Sequence, residues 1–258
     1  MTGHPGYGTV RRLSDRVAVL TEGNPGPMTL DGTNSYLLGA PGSGQVVVVD
    51  PGEDDAEHLG ALAAAGAVVL TLITHRHADH TGGAAAFAAL TGAPVRAADP
   101  SFCHRGDPLA DGEVIAAAGL RIEVVASPGH TDDSVSFHLP EDGSVLTGDT
   151  ILGRGTTVIT HPDGSVGDYL ATLDRLEALG PLRVLPAHGD VLPDLIEVVR
   201  AYRNHRQERL AQVRAALATV GADADLEVVL DAVYTDIDPA VRFAARQSLQ
   251  AQLDHLRG

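Results

Sequence analysis

The segment His75-Arg76-His77-Ala78-Asp79-His80 holds three histidines and an aspartate, and it follows directly on the apolar, β-branched run Val68 to Thr74. Four such groups at the end of a buried strand lose their water, and without a cation they gain nothing in exchange. Imidazole suits zinc, and a carboxylate adds a harder oxygen ligand. His75 and His77 lie two apart and point the same way if the strand geometry persists. Asp79 and His80 fall in the turn beyond, where the backbone can redirect them toward a second point. The chain is therefore expected to fold so that one strand end presents a metal site.

A pair of metals needs more donors, and the chain supplies them. His130 stands in Ser127-Pro128-Gly129-His130-Thr131, Asp149 in Leu146-Thr147-Gly148-Asp149-Thr150, and His188 in Pro186-Ala187-His188-Gly189. Each sits where a strand meets a glycine, and glycine beside a ligand permits a tight turn and a close approach. Taken singly, His130 or His188 reads as a surface or hydrogen-bonded core histidine, and Asp149 or Asp50 as a turn residue or helix cap. The set carries the signal. His4, His58, His104, His138, His161, His205 and His255 lack ligand-like settings and are read as ordinary histidines.

Around these motifs the chain alternates strands and helices. Strands are predicted at Val17–Leu20, Ser35–Leu38, Gln45–Asp50, Val68–Thr74, Pro94–Ala97, Ile122–Ala126, Ser134–His138, Ser144–Thr147 and Arg183–Leu185. Helices are predicted near Asp55–Ala65, from Gly82 to Leu90, and from Val166 to Leu179, where Leu170, Leu173 and Leu176 recur. Such a mixture indicates an α/β layered domain. From about Pro193 the pattern is helical only. Leu195, Val199, Tyr202, Leu210, Val213 and Leu217 form one stripe, interrupted by Arg206. Gly221 to Ala224 makes a break, and Asp238 before Pro239 caps a final helix carrying Val241, Ala245, Leu249, Leu253 and Leu256. The expected division is 1–192 for the catalytic domain and 193–258 for a helical module.

The chain has 258 residues, enough for one large domain with a small companion, and a formal charge of −16. All 18 basic residues are arginine. An acidic surface repels polyanions and disfavours non-specific binding of a nucleic-acid backbone. The single Cys103 rules out an internal disulfide and fits a reducing compartment. No run resembles a signal peptide or a membrane span, so a cytoplasmic protein with no membrane partner is expected. The oligomeric state is not legible.

The order H-x-H-x-D-H, Gly-His, Gly-Asp, Ala-His-Gly resembles the metallo-β-lactamase superfamily over roughly residues 15 to 192, with Asp50 similar to its first motif. The resemblance implies an αββα sandwich with two metal ions at one edge. It assigns His75, His77 and His130 to the first ion, Asp79, His80 and His188 to the second, and Asp149 to a bridge between them. Two Zn2+ ions are the default cofactor, and Mn2+ or Fe2+ also suits these donors. Such a pair can share a hydroxide nucleophile ionised near neutral pH, so no serine or cysteine is needed. Asp50 and Asp79 are the candidate catalytic carboxylates, Asp50 by orienting a ligand histidine. The segment Asn24-Pro25-Gly26-Pro27-Met28-Thr29 through Gly32-Thr33-Asn34-Ser35-Tyr36 is similar to the narrower beta-lactamase-like protein 2 group, whose members carry a C-terminal winged-helix-like module. Here the chain stops just after its last helix, so the wing is expected to be missing or very short.

The aspartate at 149 resembles the glyoxalase II, nuclease and other hydrolase branches rather than true β-lactamases, which generally have cysteine or serine there. The leading expectation is thus a dinuclear zinc hydrolase of a small carbonyl substrate, a thioester, ester or lactone. The alternative is a metal-dependent endoribonuclease acting on single-stranded RNA, with β-lactam hydrolysis as a side activity and a non-enzymatic metal-binding protein as the remaining class. The one basic concentration, Arg200, Arg203, Arg206, Arg209 and Arg214, reads as a solvated helix face. Asn34, Tyr36, Arg154, Thr156 and His161 lie in segments that can flank the metals, and Arg154 has the forked donor to hold a substrate carboxylate or phosphate.

Overall fold

The computed structural model describes residues 6–258, so His4 lies outside the described residues. A first sheet is built from β1 (Arg11–Arg12), β2 (Val17–Thr21), β3 (Asn34–Leu38), β4 (Gln45–Val49), β5 (Ala67–Leu72) and β6 (Val95–Arg96), in that spatial order. It is antiparallel from β1 to β4 and parallel from β4 to β6. The second sheet runs in the order β11 (Arg183–Pro186), β10 (Ser144–Gly148), β9 (Val135–Leu139), β8 (Leu120–Ala126), β7 (Val114–Ala117). Only its β10–β11 pair is parallel.

The helices are α1 (Ala56–Ala64), α2 (Ala78–Thr81), α3 (Ala84–Thr91), α4 (Val166–Glu177), α5 (Leu195–Val220), α6 (Leu226–Val233) and α7 (Arg242–Arg257). Alternation along β4 shows how the layers form. Val47 and Val49 face the second sheet, packing with Leu38 and Leu72 against Val124, Phe137 and Leu146. Val46 and Val48 face the other way, onto Leu59 and Leu62 of α1 and Phe87 of α3. A strand covered on both faces must be apolar throughout, which explains the valine run. On the far side, Val145 and Val184 pack against Tyr169, Leu173 and Leu176 of α4 and against Leu195, Val199 and Tyr202 of α5. The result is the expected αββα sandwich.

The last part of α5 turns away from the sheets and forms a small cluster with the other C-terminal helices. Val213 meets Val229 and Leu230 of α6 and Ala245, Leu249 and Leu253 of α7. Among the described residues no strand follows β11, and no helix is long and apolar enough to cross a membrane. Four elements escape the sequence reading: β1, β7, α6 and the short α2, where a turn is expected. Asp238 accepts from the Ala240 N–H as expected, but it opens a 3-10 turn, Pro239–Val241, that leads into α7.

Candidate metal centre

The site lies where loops from both sheets meet at one edge. From the first sheet come Asp50, immediately after β4, and the segment after β5. From the second come His130 after β8, Asp149 after β10 and His188 after β11. The strand β5 ends at Leu72, so His75 and His77 sit on a bend rather than on continuing strand. They still converge, but through different ring atoms: His75 Nε2 is 3.0 Å from His77 Nδ1. His77 Nδ1 is also 3.1 Å from His130 Nε2. The short helix α2 then carries Asp79 and His80 to the other side of the site.

The donors fall into two sets, His75, His77, His130 and Asp149 in one and Asp79, His80 and His188 in the other, with ligand atoms within 4.8 Å of each other inside each set. Asp149 also reaches the second set, with Oδ1 3.2 Å from His188 Nε2 and 3.6 Å from His80 Nε2. Asp79 Oδ2 is 3.2 Å from His188 Nε2 and 3.4 Å from His80 Nε2.

Hydrogen bonds on the outer side of four of the five rings set which nitrogen faces inward. His80 Nδ1 donates to Asp50 Oδ2 at 2.8 Å, and His130 Nδ1 donates to the Val158 carbonyl at 2.6 Å. His75 Nδ1 meets the Thr74 hydroxyl at 3.1 Å, and His188 Nδ1 meets the Gly32 carbonyl at 3.3 Å. With its single proton committed outward, each of these four rings in its neutral form points a lone pair into the centre. Lone pairs about 3 Å apart repel unless a cation lies between them. The buried atoms His80 Nε2, His188 Nε2 and Asp149 Oδ1 have no hydrogen-bond partner at all. This donor set fits divalent metal ions, which would satisfy those atoms.

The electrostatics agree. Burial, with the neighbouring Asp149 opposing it, pushes the His130 imidazole down to about 4. Burial would also depress His188, but the Asp149 and Asp79 carboxylates outweigh it and push that ring up to about 9. Asp79 and Asp149 are themselves held well below the usual carboxylate range, against burial, Asp79 chiefly by His80 and Asp149 chiefly by His188.

Asp50 is buried, with a φ of 53° that is tolerable for aspartate. Its carboxylate takes the Thr74 N–H at 2.8 Å and the Thr74 hydroxyl at 2.7 Å besides His80. Gly148 precedes Asp149 at φ +50°, and a Cβ there would lie 2.7 Å from Thr74 Cβ, so only glycine lets β10 approach this loop. Three supports were not foreseen. Thr74 links Asp50 to His75. Arg76 turns outward between two candidate ligands and holds Asp133 at 3.1 Å and Asp132, which steadies the turn after His130. Thr157 reaches His130 Nδ1 with its hydroxyl at 3.2 Å. Of these, only Arg76 had a visible signal, an arginine between ligand histidines with Asp132-Asp133 following Gly129-His130.

The flanking residues divide. Asn34 donates to the Pro186 and Gly189 carbonyls, and the Tyr36 hydroxyl donates to Pro186, so both clamp the turn that bears His188. His161 pairs with Asp254 at 3.0 Å on α7. Arg154 and Thr156 line a cavity of about 200 Å3 that reaches His130 and Asp149, walled by Met28, Leu30, Leu152 and Val241. Arg154 is not free for a substrate anion, because both of its terminal nitrogens are on Asp31.

The Metallo-beta-lactamase superfamily model matches residues 28–188, the stretch that contains every candidate ligand. The chain belongs to this superfamily. It is similar to a Caenorhabditis elegans Beta-lactamase-like protein 2 homolog, 32% identical over 96% of this chain and 86% of that one. It is also similar to an Aspergillus fumigatus atrochrysone carboxyl ACP thioesterase, 32% identical over 81% of this chain and 67% of that one. Among solved structures, a metallo-beta-lactamase family protein from Thermus thermophilus superposes with a TM-score of 0.79 at 25% identity, covering 95% of this chain and 94% of that one. Like other members of the superfamily the chain is a hydrolase, and its histidines and aspartates form a candidate site for divalent metal.

Proposed function

We propose that the chain hydrolyses a small acyl substrate, a thioester, ester or lactone, at a dinuclear centre. His75, His77 and His130 would hold one ion, Asp79, His80 and His188 the other, and Asp149, which reaches both sets, would serve both, with zinc the expected metal. The observation that carries the choice of substrate is the cavity beside His130 and Asp149. Among the described residues its only charged side chain besides Asp149 is Arg154, already committed to Asp31, and its walls are mostly aliphatic. An acyl group fits such a wall, whereas a phosphodiester chain requires free cations along its path.

Three of the five arginines of α5 do not offer that path. Arg200 is on Glu177, Arg203 is on Asp174 and Glu177, and Arg206 is buried rather than on a solvated face. The thioesterase among the similar proteins supports the same choice. A pair of divalent ions supplies a water nucleophile ionised near neutral pH and a Lewis acid for the acyl oxygen. The chain's own residues do the positioning. Asp50 keeps the His80 proton on Nδ1, and the Val158 carbonyl does the same for His130. Met28, Leu30 and Leu152 hold the acyl group and exclude bulk water.

The test sets an S-acyl thioester beside a single-stranded RNA with metal-loaded protein, and repeats both with His77→Ala. Thioester cleavage that disappears in the variant is the expected result. Metal-dependent cleavage of RNA alone would replace this reading with the ribonuclease one.

A further inference from the structure

A second cavity, of about 160 Å3, lies between α5 and α7 behind the strap Thr156-Thr157-Val158. It differs in chemistry from the acyl cavity. Arg206, Arg209, His205 and Gln252 line it, and among the described residues no acidic side chain does. In a chain carrying −16 formal charge, that local excess of cationic and donor groups stands apart from the surface average.

The residues lining it are short of partners. Arg206 is 3% exposed and Gln252 is 1% exposed. Arg206 gives one terminal nitrogen to the Thr157 carbonyl and stacks over Tyr169 at 5.0 Å, but its Nε is unpartnered. Both amide atoms of Gln252 and Nδ1 of His205 are buried without partners. Arg209 bonds Gln212 at 2.8 Å and lies over Tyr234 at 4.5 Å. Neither arginine has a carboxylate within ion-pair distance among the described residues. A buried guanidinium without an anion is unfavourable, as is an amide with neither donor nor acceptor met.

We propose that this cavity is a binding site for a phosphoryl group. The residues lining the cavity carry the donors such a group takes: the Arg206 Nε–H, the Arg209 guanidinium and the Gln252 amide N–H. A singly protonated phosphate also carries a P–OH, which donates to Gln252 Oε1. A carboxylate has no proton to offer there at neutral pH. The cavity shares Thr156, Thr157, Val158, Val241 and Ala244 with the acyl cavity, so the bound group sits one strap away from His130.

The test is a calorimetric titration of inorganic phosphate into the full-length, metal-loaded protein and into Arg209→Met, Gln252→Leu and His77→Ala. Saturable binding is expected in the unaltered protein and in His77→Ala. Loss of a charge-assisted hydrogen bond should weaken it about tenfold or more in Arg209→Met and Gln252→Leu. Arg209 is only half-buried, so its variant keeps the test valid if Gln252→Leu fails to fold. Binding abolished by His77→Ala and untouched by the other two would place the anion on the metals and overturn the proposal. No binding to the unaltered protein would overturn it too, leaving the cavity to water. Methyl phosphate distinguishes the source. Affinity equal to that of inorganic phosphate assigns the site to the phosphoryl end of a larger molecule, and binding of inorganic phosphate alone assigns it to the free ion.

Discussion

Replacing Asp50 with asparagine probes how far a residue that faces away from the centre controls it. The position has a φ of 53°, where asparagine is as tolerable as aspartate, so the backbone is not the variable. In the native protein the carboxylate accepts three bonds, from Thr74 N–H, Thr74 Oγ1–H and His80 Nδ1–H, all at 2.7–2.8 Å. An amide keeping its oxygen on the Thr74 N–H turns its NH2 toward His80 Nδ1. That ring must then accept on Nδ1 and carry its proton on Nε2, the atom otherwise free to bind metal. Disturbing a support of this kind lowers metal affinity about 10–100-fold, equivalent to about 1.4–2.7 kcal/mol. The loss should fall on the set Asp79, His80 and His188 and spare His75, His77 and His130. Loss of one hydrogen bond to a charged acceptor is worth about 1.5–3 kcal/mol, so Tm should drop by roughly 3–12 °C. Competition titration with a chelating dye reads the two affinities separately. Two ions held as tightly as in the unaltered protein would refute the argument that the outer bond sets the inner lone pair.

Asp149→Ala should reduce both metal content and hydrolysis, since its carboxylate lies against both donor sets, and elemental analysis with an activity assay checks this. Two ions per chain with normal activity would exclude a bridge. Gly148→Ala forces a Cβ to 2.7 Å from Thr74 at an unfavourable φ, and about 1–3 kcal/mol of backbone strain plus the clash should appear in denaturant unfolding. The buried carboxylate of Glu22 is raised to about 7 by burial, against the Glu53 backbone N–H that favours its charge. A raised pKa binds protons in the folded state that the unfolded chain has already lost. Its stabilising share is therefore complete below about pH 4.5 and gone as pH rises through about 7. Glu22→Gln should match the unaltered protein near pH 4 and be more stable at pH 8, and an equal effect at both would contradict the burial argument.

The ligand cluster was legible because its chemistry is local. Three histidines and an aspartate within six positions cannot be explained by packing, and the further donors each announce themselves with a glycine. The sandwich was legible where apolar runs are long, as in β4. The strands β1 and β7 were not, because β1 has two exposed arginines and β7 is a short run, Val-Ile-Ala-Ala, with weak alternation. Helix α6 lies in a stretch whose only clear marks were the break before it and the cap after it. Arg206 misled for a different reason. Its charge reads as an interruption of an apolar stripe, and only the folded neighbours show that Tyr169 and the Thr157 carbonyl receive it. His75 and His77 meet although the strand has already ended, because His77 uses Nδ1 where His75 uses Nε2.

The centre draws Asp79, His75, His77 and His80 from the loop after β5 and His130, Asp149 and His188 from loops of the opposite sheet. Seen mechanically, ions held there would act as rivets at the edge of the sandwich, adding to the few hydrogen bonds that join the two sheets there, such as Val135 N–H to the Thr74 carbonyl and Asn34 N–H to the Ala187 carbonyl. Removing them would free the edge to gape while the aliphatic interior stays closed. Protease nicking and amide exchange at the loops around 76–83 and 127–133 should then follow the concentration of free metal, while the buried strands β4 and β10 remain unaffected.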